Sequence, residues 1–214
     1  MQLEHKKPYH HGDLYRACIE QGLQFLAQGQ TNFSMRDLAR SLGVSHGAPG
    51  KHFQNKEGLL AAIAEEGFRI LNAYLEESFV PGNLRESFLQ MGRSYLLFGL
   101  ENPAHYRIML GDKIRSHANY ASLNQESKKS LGQLVYLVQQ LQAAEVFIAG
   151  NAFEFAYCIW AGVHGLVNLA IEDHIKLPQP IKPASTNYKK HLQEHCLRLA
   201  DQMNQSFFLG FSHQ

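Results

Sequence analysis

Apolar residues recur three and four positions apart along almost the whole chain, and no apolar–polar alternation runs longer than about four residues. The first spacing buries one side of a helix; a half-buried strand needs side chains that alternate. An all-α fold is therefore the architecture open to this chain. Glycine, proline and asparagine punctuate it at Gly29-Gln30, Gly43, Pro81-Gly82, Asn102-Pro103, Gly111-Asp112 and Gly150-Asn151. Between these breaks the pattern predicts helices over 12–28, 34–42, 46–52, 55–77, 83–101, 103–110, 123–144, 151–174 and 186–208. Residues 116–122 read as loop, and 177–185, with Pro178, Pro180 and Pro183, as an extended connection.

Charge and cysteine content bound the function. The 214 residues carry a formal net charge of +1, so any surface for nucleic acid must be local. Cys18, Cys158 and Cys196 are far apart and form no CxxC pair, which fits a reducing cytoplasm rather than a disulfide framework. The basic N-terminus is followed by no apolar run and does not read as a signal peptide. The most apolar segment, 155–171, lacks Lys, Arg, Asp and Glu. It approaches the ~20 residues of a membrane span, but His164 and Asn168 inside it make hydrocarbon burial costly. It reads as a helix buried on all sides within the protein, with no membrane involved.

The densest signal is SMRDLARSLGVSHGAPGKHF, residues 34–53. Ser34 and Asp37 have the spacing of a capping box. Leu38, Ala39 and Leu42 face inward, Gly43 allows a sharp reversal, and Ser45 is placed to cap a second short helix. Two helices joined by so tight a turn form a helix-turn-helix, whose second member can enter the major groove. Ser45, His46, Gly47, Gly50 and Lys51 on that helix are small or hydrogen-bonding. Around them Arg36, Arg40, Lys51 and Lys56 oppose a single carboxylate, Asp37, a balance suited to phosphate contact. A pair of purely structural helices would share the pattern.

The run from YHHGDL at 9–14 through HFQNKEGLL at 52–60 to Gly67 resembles the N-terminal domain of TetR-family regulators without a gap. The resemblance implies that Ser34 and Arg36 touch DNA from the second helix. It places Ser45, His46, Gly47, Lys51 and His52 in or beside the major groove, gives Lys56 a phosphate, and makes Phe53 a core anchor. One position departs. The family usually has Tyr where this chain has Gly50, and that Tyr usually meets the DNA backbone. Gly50 removes the contact and weakens the helix by ~1 kcal/mol relative to Ala; with Pro49 before it, a short or distorted third helix is expected. Lys6, Lys7, Tyr9, His10 and His11 precede the first helix, either as an arm along DNA or as a frayed terminus.

Farther on, NPAHYRIMLG at 102–111 and WAGVHGLVNL at 160–169 resemble the WHG-type effector domain of some TetR proteins. Candidate ligand-pocket residues are Phe88, Met91, Tyr95 and Phe98 on one predicted helix, and Tyr106, Met109 and Tyr136 on the next two. Phe155, Trp160, His164 and Asn168 come from the apolar helix. Each could equally be core. His164 and Asn168, four apart on an apolar helix, need polar partners, either a ligand or each other's surroundings. His191 and His195 are also four apart, but two ligands do not make a metal site.

No nucleophile elbow, HExxH or phosphate loop occurs, so neither an enzyme nor a cofactor is expected. The chain reads as an all-α regulator with a DNA-binding domain over 9–70 and an effector-binding and dimerisation domain over 80–214. Its expected partners are a palindromic double-stranded DNA operator, a small, largely apolar effector that releases it, and a second copy joined through the last two helices. The alternatives are a DNA-binding protein without a ligand and, further behind, a helical enzyme.

Overall fold

The computed structural model describes residues 14–178 and 187–212, and their regular structure is helical, without strands. The basic N-terminal segment at 1–13 and the proline-rich stretch at 179–186 lie outside the described residues. Nine α-helices follow in order: α1 (Leu14–Ala27), α2 (Met35–Leu42), α3 (Gly50–Phe53), α4 (Lys56–Glu77), α5 (Leu84–Glu101), α6 (Pro103–Leu110), α7 (Ala121–Ala143), α8 (Ala152–Ile171) and α9 (Tyr188–Phe211). A 3-10 turn, His117–Asn119, precedes α7.

The helix ends follow from local chemistry. Gly29, at φ 75°, closes α1 with its N–H on the Leu26 carbonyl. Asn83 caps α5 by accepting from the Glu86 N–H at 3.0 Å, and Asn151 caps α8 by accepting from Phe153 at 3.0 Å. At the end of α5, Asn102 returns both its backbone N–H and its side-chain amide to the Phe98 carbonyl. Pro103 then starts α6 at the first helical position, where no intrahelical acceptor awaits an N–H and the fixed φ of proline suits the helix.

The chain forms two compact units. The first comprises the described residues up to Glu66 together with Ala104–Leu123. Its core contains Cys18, Leu38, Ala39, Phe53, Leu59 and Ile63. A Cβ on Gly22 would sit 3.0 Å from Ile63 Cδ1, so α1 lies very close to α4. Burial pushes the Cys18 thiol up to about 11, which keeps it protonated and unreactive.

The second unit comprises Gly67–Pro103 and the described residues from Asn124 onward. Helices α5, α8 and α9 pack on one another. The Arg93 guanidinium grips both oxygens of Asp201 from α5 to α9, with Nη2 to Oδ2 at 2.7 Å. The Asn204 side chain fills the space a Cβ would need at Gly92. Phe147 meets Phe88 and Phe208 edge to face, and Phe88 and Phe208 are tilted to one another, with centroids 5.3–5.7 Å apart. The end of α4 meets α7 through a polar contact instead. Asn72 donates to the Glu126 carboxylate at 2.8 Å and accepts from Ser130 Oγ at 2.7 Å and Gln133 Nε2 at 3.1 Å.

Two expectations change. The apolar helix α8 is not buried on all sides: Ala152, Ala156, Ile159, Val163, Val167 and Ala170 face inward, while Phe153, Tyr157 and Leu169 are each about half exposed. Its composition is apolar all round, but among the described residues only one flank is buried. The second change concerns α3, which starts at Gly50 rather than His46.

Candidate nucleic-acid interface

The first unit builds its outward strip from α2 and the segment after it. Ser34 and Asp37 form the reciprocal box that their spacing predicts. The Asp37 N–H donates to Ser34 Oγ at 3.2 Å, and Asp37 Oδ2 accepts from the Ser34 N–H at 2.9 Å. The Ser34 hydroxyl and amide hold the Asp37 carboxyl below its ordinary range, with Arg40 adding to the effect. At the far end Gly43, at φ 68°, returns its N–H to the Ala39 and Arg40 carbonyls. The left-handed backbone there is what makes the reversal possible.

After the turn, residues 46–49 form successive turns rather than a helix. The Ala48 N–H reaches the Ser45 carbonyl at 3.0 Å, three residues back. Pro49 has no N–H to continue an α-helical ladder, and Gly47 and Gly50 are, after proline, the poorest helix formers. Pro49 occupies the cap position without a side-chain bond, so Ser45 does not cap α3. Ser34, Arg36, Ser45, His46, Gly47, Lys51 and His52 are nevertheless all exposed on this stretch. Phe53 is buried and anchors it. Tyr15 of α1 stacks on Phe53 at 4.9 Å and meets the His52 ring edge-on at 6.1 Å, fixing where that imidazole sits.

Lys56 differs from the others. Its Nζ donates to the Thr31 carbonyl at 2.6 Å and lies 4.4 Å from the Phe33 ring centroid. Burial lowers its pKa, and the neighbouring charge of Lys113 lowers it further. An ammonium has three donors, so this one ties the α1–α2 loop to α4 and keeps donors to spare. The roles of Tyr15, Thr31 and Phe33 carry no sequence signal: they arise from packing across more than 20 residues.

In the second unit the pocket candidates fall into separate groups. Trp160 Nε1 donates to the Tyr95 hydroxyl at 2.8 Å, and the His164 ring lies 5.7 Å from that of Trp160. Asn168 Nδ2 donates to His164 Nε2 at 2.9 Å and to the His164 carbonyl at 3.1 Å. Burial pushes the His164 imidazole below its ordinary pKa, consistent with a neutral ring accepting that bond. Tyr95, Trp160, His164 and Asn168 thus form one contiguous polar-edged set between α5 and α8. Phe88 and Phe155 belong instead to the phenylalanine cluster around Phe147, Phe208 and Phe211. Met91 is buried, and Phe98 packs against Tyr74. Tyr136 is exposed and lines a shallow groove of ≈ 490 Å³ with Glu76, Phe79, Lys129, Gly132 and Gln133. Tyr106 and Met109 are buried residues of the first unit. Among the described residues no cluster of three metal-ligating side chains occurs.

Comparison with known proteins bears on both parts. Residues 24–63 match the family of bacterial regulatory proteins of the tetR type, and residues 88–187 match a tetracyclin repressor-like C-terminal domain. A Rhodococcus sp. RHA1 protein of unknown function is 28% identical, with a TM-score of 0.76 over 97% of this chain and 100% of that one. The TetR family transcriptional regulator PfmR from Thermus thermophilus is 19% identical, with a TM-score of 0.63 over 89% and 97%. The fatty acid degradation regulator FadR from Bacillus halodurans is 14% identical, with a TM-score of 0.68 over 92% and 99%. The last two likenesses are of fold. No curated protein sequence matches the chain.

Proposed function

Because this chain belongs to the TetR family of transcriptional regulators, we propose that it is a cytoplasmic homodimeric repressor that a small, largely apolar effector releases from a palindromic operator. The observation that carries the reading is the exposed strip of the first unit. Ser45, His46, Gly47, Lys51 and His52 present donors, acceptors and little bulk, set on the buried Phe53 and the rigid box of α2. Small hydrogen-bonding groups can approach base edges, while Arg36 and Lys51 neutralise phosphate. Ser34 and Lys56 meet the backbone on either side.

A dimer is supported by the outer flank of α8 and by α9. Phe153, Tyr157 and Leu169, with Leu209 at 72% exposure, form apolar surface that a monomer would leave in water. Pairing α8 and α9 with their copies gives a four-helix interface, and two reader elements then face two half-sites. Effector binding falls to the second domain, where Tyr95, Trp160, His164 and Asn168 supply polar atoms to orient an apolar molecule. Phe88, Met91, Phe98, Tyr136 and Phe155, all in the second unit, remain its candidate apolar contacts. Coupling between effector and operator is then a free energy shared by two sites. Nothing in this reading calls for catalysis.

The test is operator binding by Arg36→Ala and Lys51→Ala proteins, with sedimentation of a Tyr157→Asp protein. Weaker binding by the first two and dissociation to monomers by the third are expected. Unchanged binding by both would remove the assigned DNA surface, and an intact Tyr157→Asp dimer would remove the α8 interface.

A further inference from the structure

The loop between α6 and α7 brings cations to the reader unit from a distant part of the sequence. Residues 111–116 belong to the first unit. Ile114 is buried there, while Lys113 and Arg115 on either side keep 53% and 89% of their side chains exposed. The loop is pinned to the first turn of α4: the Arg115 N–H donates to Glu57 Oε1 at 3.3 Å, and Arg115 Nε lies 3.9 Å from Glu57 Oε2. Glu57 directly follows Lys56, and Lys113 is near enough to Lys56 for the two ammonium groups to act on each other. Like charges held together cost free energy unless an anion lies between or beside them. The carboxylates present are Glu57, paired with Arg115, and Asp112, 3.6 Å from Lys113 and 90% exposed. The Lys113–Asp112 pair is exposed on both sides, so exchanging Asp112 for another anion costs little; Glu57 is only 27% exposed, but Arg115 at 89% leaves its guanidinium open to a further anion.

We propose that Lys113 and Arg115 contact the DNA phosphate backbone beside the half-site, extending the interface beyond the helix-turn-helix to the α6–α7 loop. This rests on the reading of the first unit as a DNA reader. Such contacts carry no base information; they add affinity and salt dependence. They also place part of the DNA contact on a segment that follows α6, outside the N-terminal domain as the sequence delimits it.

The experiment measures operator and random-duplex affinity of the full-length protein against salt concentration, for wild type, Lys113→Gln, Arg115→Gln and the double variant. The slope of log affinity against log salt should fall by about 0.9 for each residue removed. Between about 50 and about 200 mM salt the double variant should then lose about twelve-fold less affinity than wild type. The loss at low salt should be equal on operator and random DNA, with base preference unchanged. A Glu57→Gln protein, which frees Arg115 without removing its charge, should bind at least as tightly as wild type. An unchanged slope in the double variant would overturn the proposal. So would a Glu57→Gln protein weakened as much as Arg115→Gln, because Arg115 would then act only as a latch. Wild-type protein that binds no duplex DNA would instead overturn the reading of the reader unit.

Discussion

Gly58 and Gly50 lie eight residues apart on either side of the α3–α4 junction, and the same substitution should act oppositely at the two. Gly58 sits in the first turn of α4, where its N–H donates to Asn55 Oδ1 at 3.0 Å. A Cβ there would lie 2.0 Å from the Phe53 carbonyl oxygen and 3.1 Å from its carbon. Both atoms are backbone, so no rotamer relieves the contact; α3 and α4 must separate by more than about 1 Å to restore van der Waals distance. Gln54 between them already holds φ 60° and ψ −53°, leaving the junction little freedom to adjust. Gly58→Ala should therefore cost about 3 kcal/mol, the upper end for overpacking, and lower the melting temperature by about 6–12 °C. At Gly50 a Cβ would meet nothing within 4 Å, and φ is not left-handed. Gly50→Ala should add up to about 1 kcal/mol through helix propensity, raising the melting temperature by about 2–4 °C. Thermal unfolding by circular dichroism, paired with operator titration, reads both. The Gly58→Ala protein should also bind DNA poorly, since Phe53 carries the reader strip. A Gly58→Ala protein that melts and binds like wild type would refute the steric argument.

Other outcomes follow from the same contacts. Burial lowers the pKa of His105, His117 and His164, with Glu66 3.6 Å from His105 opposing the shift there. The unfolded chain then binds protons that the folded one refuses. Stability is full above about pH 6.5 and falls as pH drops through the folded values, by up to about 1.4 kcal/mol per pH unit for His105. Urea midpoints at about pH 7.5 and about pH 5.5 check this, and equal midpoints would contradict it. Arg93→Ala removes the α5–α9 clasp on Asp201, and the partial exposure of both groups limits the cost to about 1 kcal/mol, read as a lower urea midpoint at unchanged slope. Gly50→Tyr adds a side chain whose Cβ meets nothing within 4 Å, at the position where the TetR resemblance implies a Tyr, and should tighten operator binding; weaker binding would mean that the strip docks differently.

Much of the fold is legible in the sequence because its helices are punctuated. Ser34, Asp37 and Gly43 announce both ends of α2 through local chemistry, and Asn83, Asn102-Pro103 and Asn151 do the same for later helices. Where Pro49 and two glycines compete with the helix pattern, the shortened α3 follows from the same rules. Side-chain environments are less legible. An all-apolar helix such as α8 does not reveal which flank its own chain covers. Lys56 reads as a surface cation, yet its ammonium sits on Thr31 and Phe33. Lys113 and Arg115 join the reader unit only because Ile114 is buried and Glu57 accepts from the loop; neither relation has a sequence period. The polar edge of the expected pocket resolves into a His164–Asn168 bond, a pairing that four-residue spacing permits and only packing selects.

The central claim, that two copies of the exposed strip read DNA sequence together, is tested most directly by selecting bound fragments from a random duplex pool with the purified protein at physiological salt. The account predicts a palindrome whose half-sites are centred about one helical turn apart or a multiple of it. Recovery of fragments with no shared motif, and binding that only fades as salt rises, would contradict it.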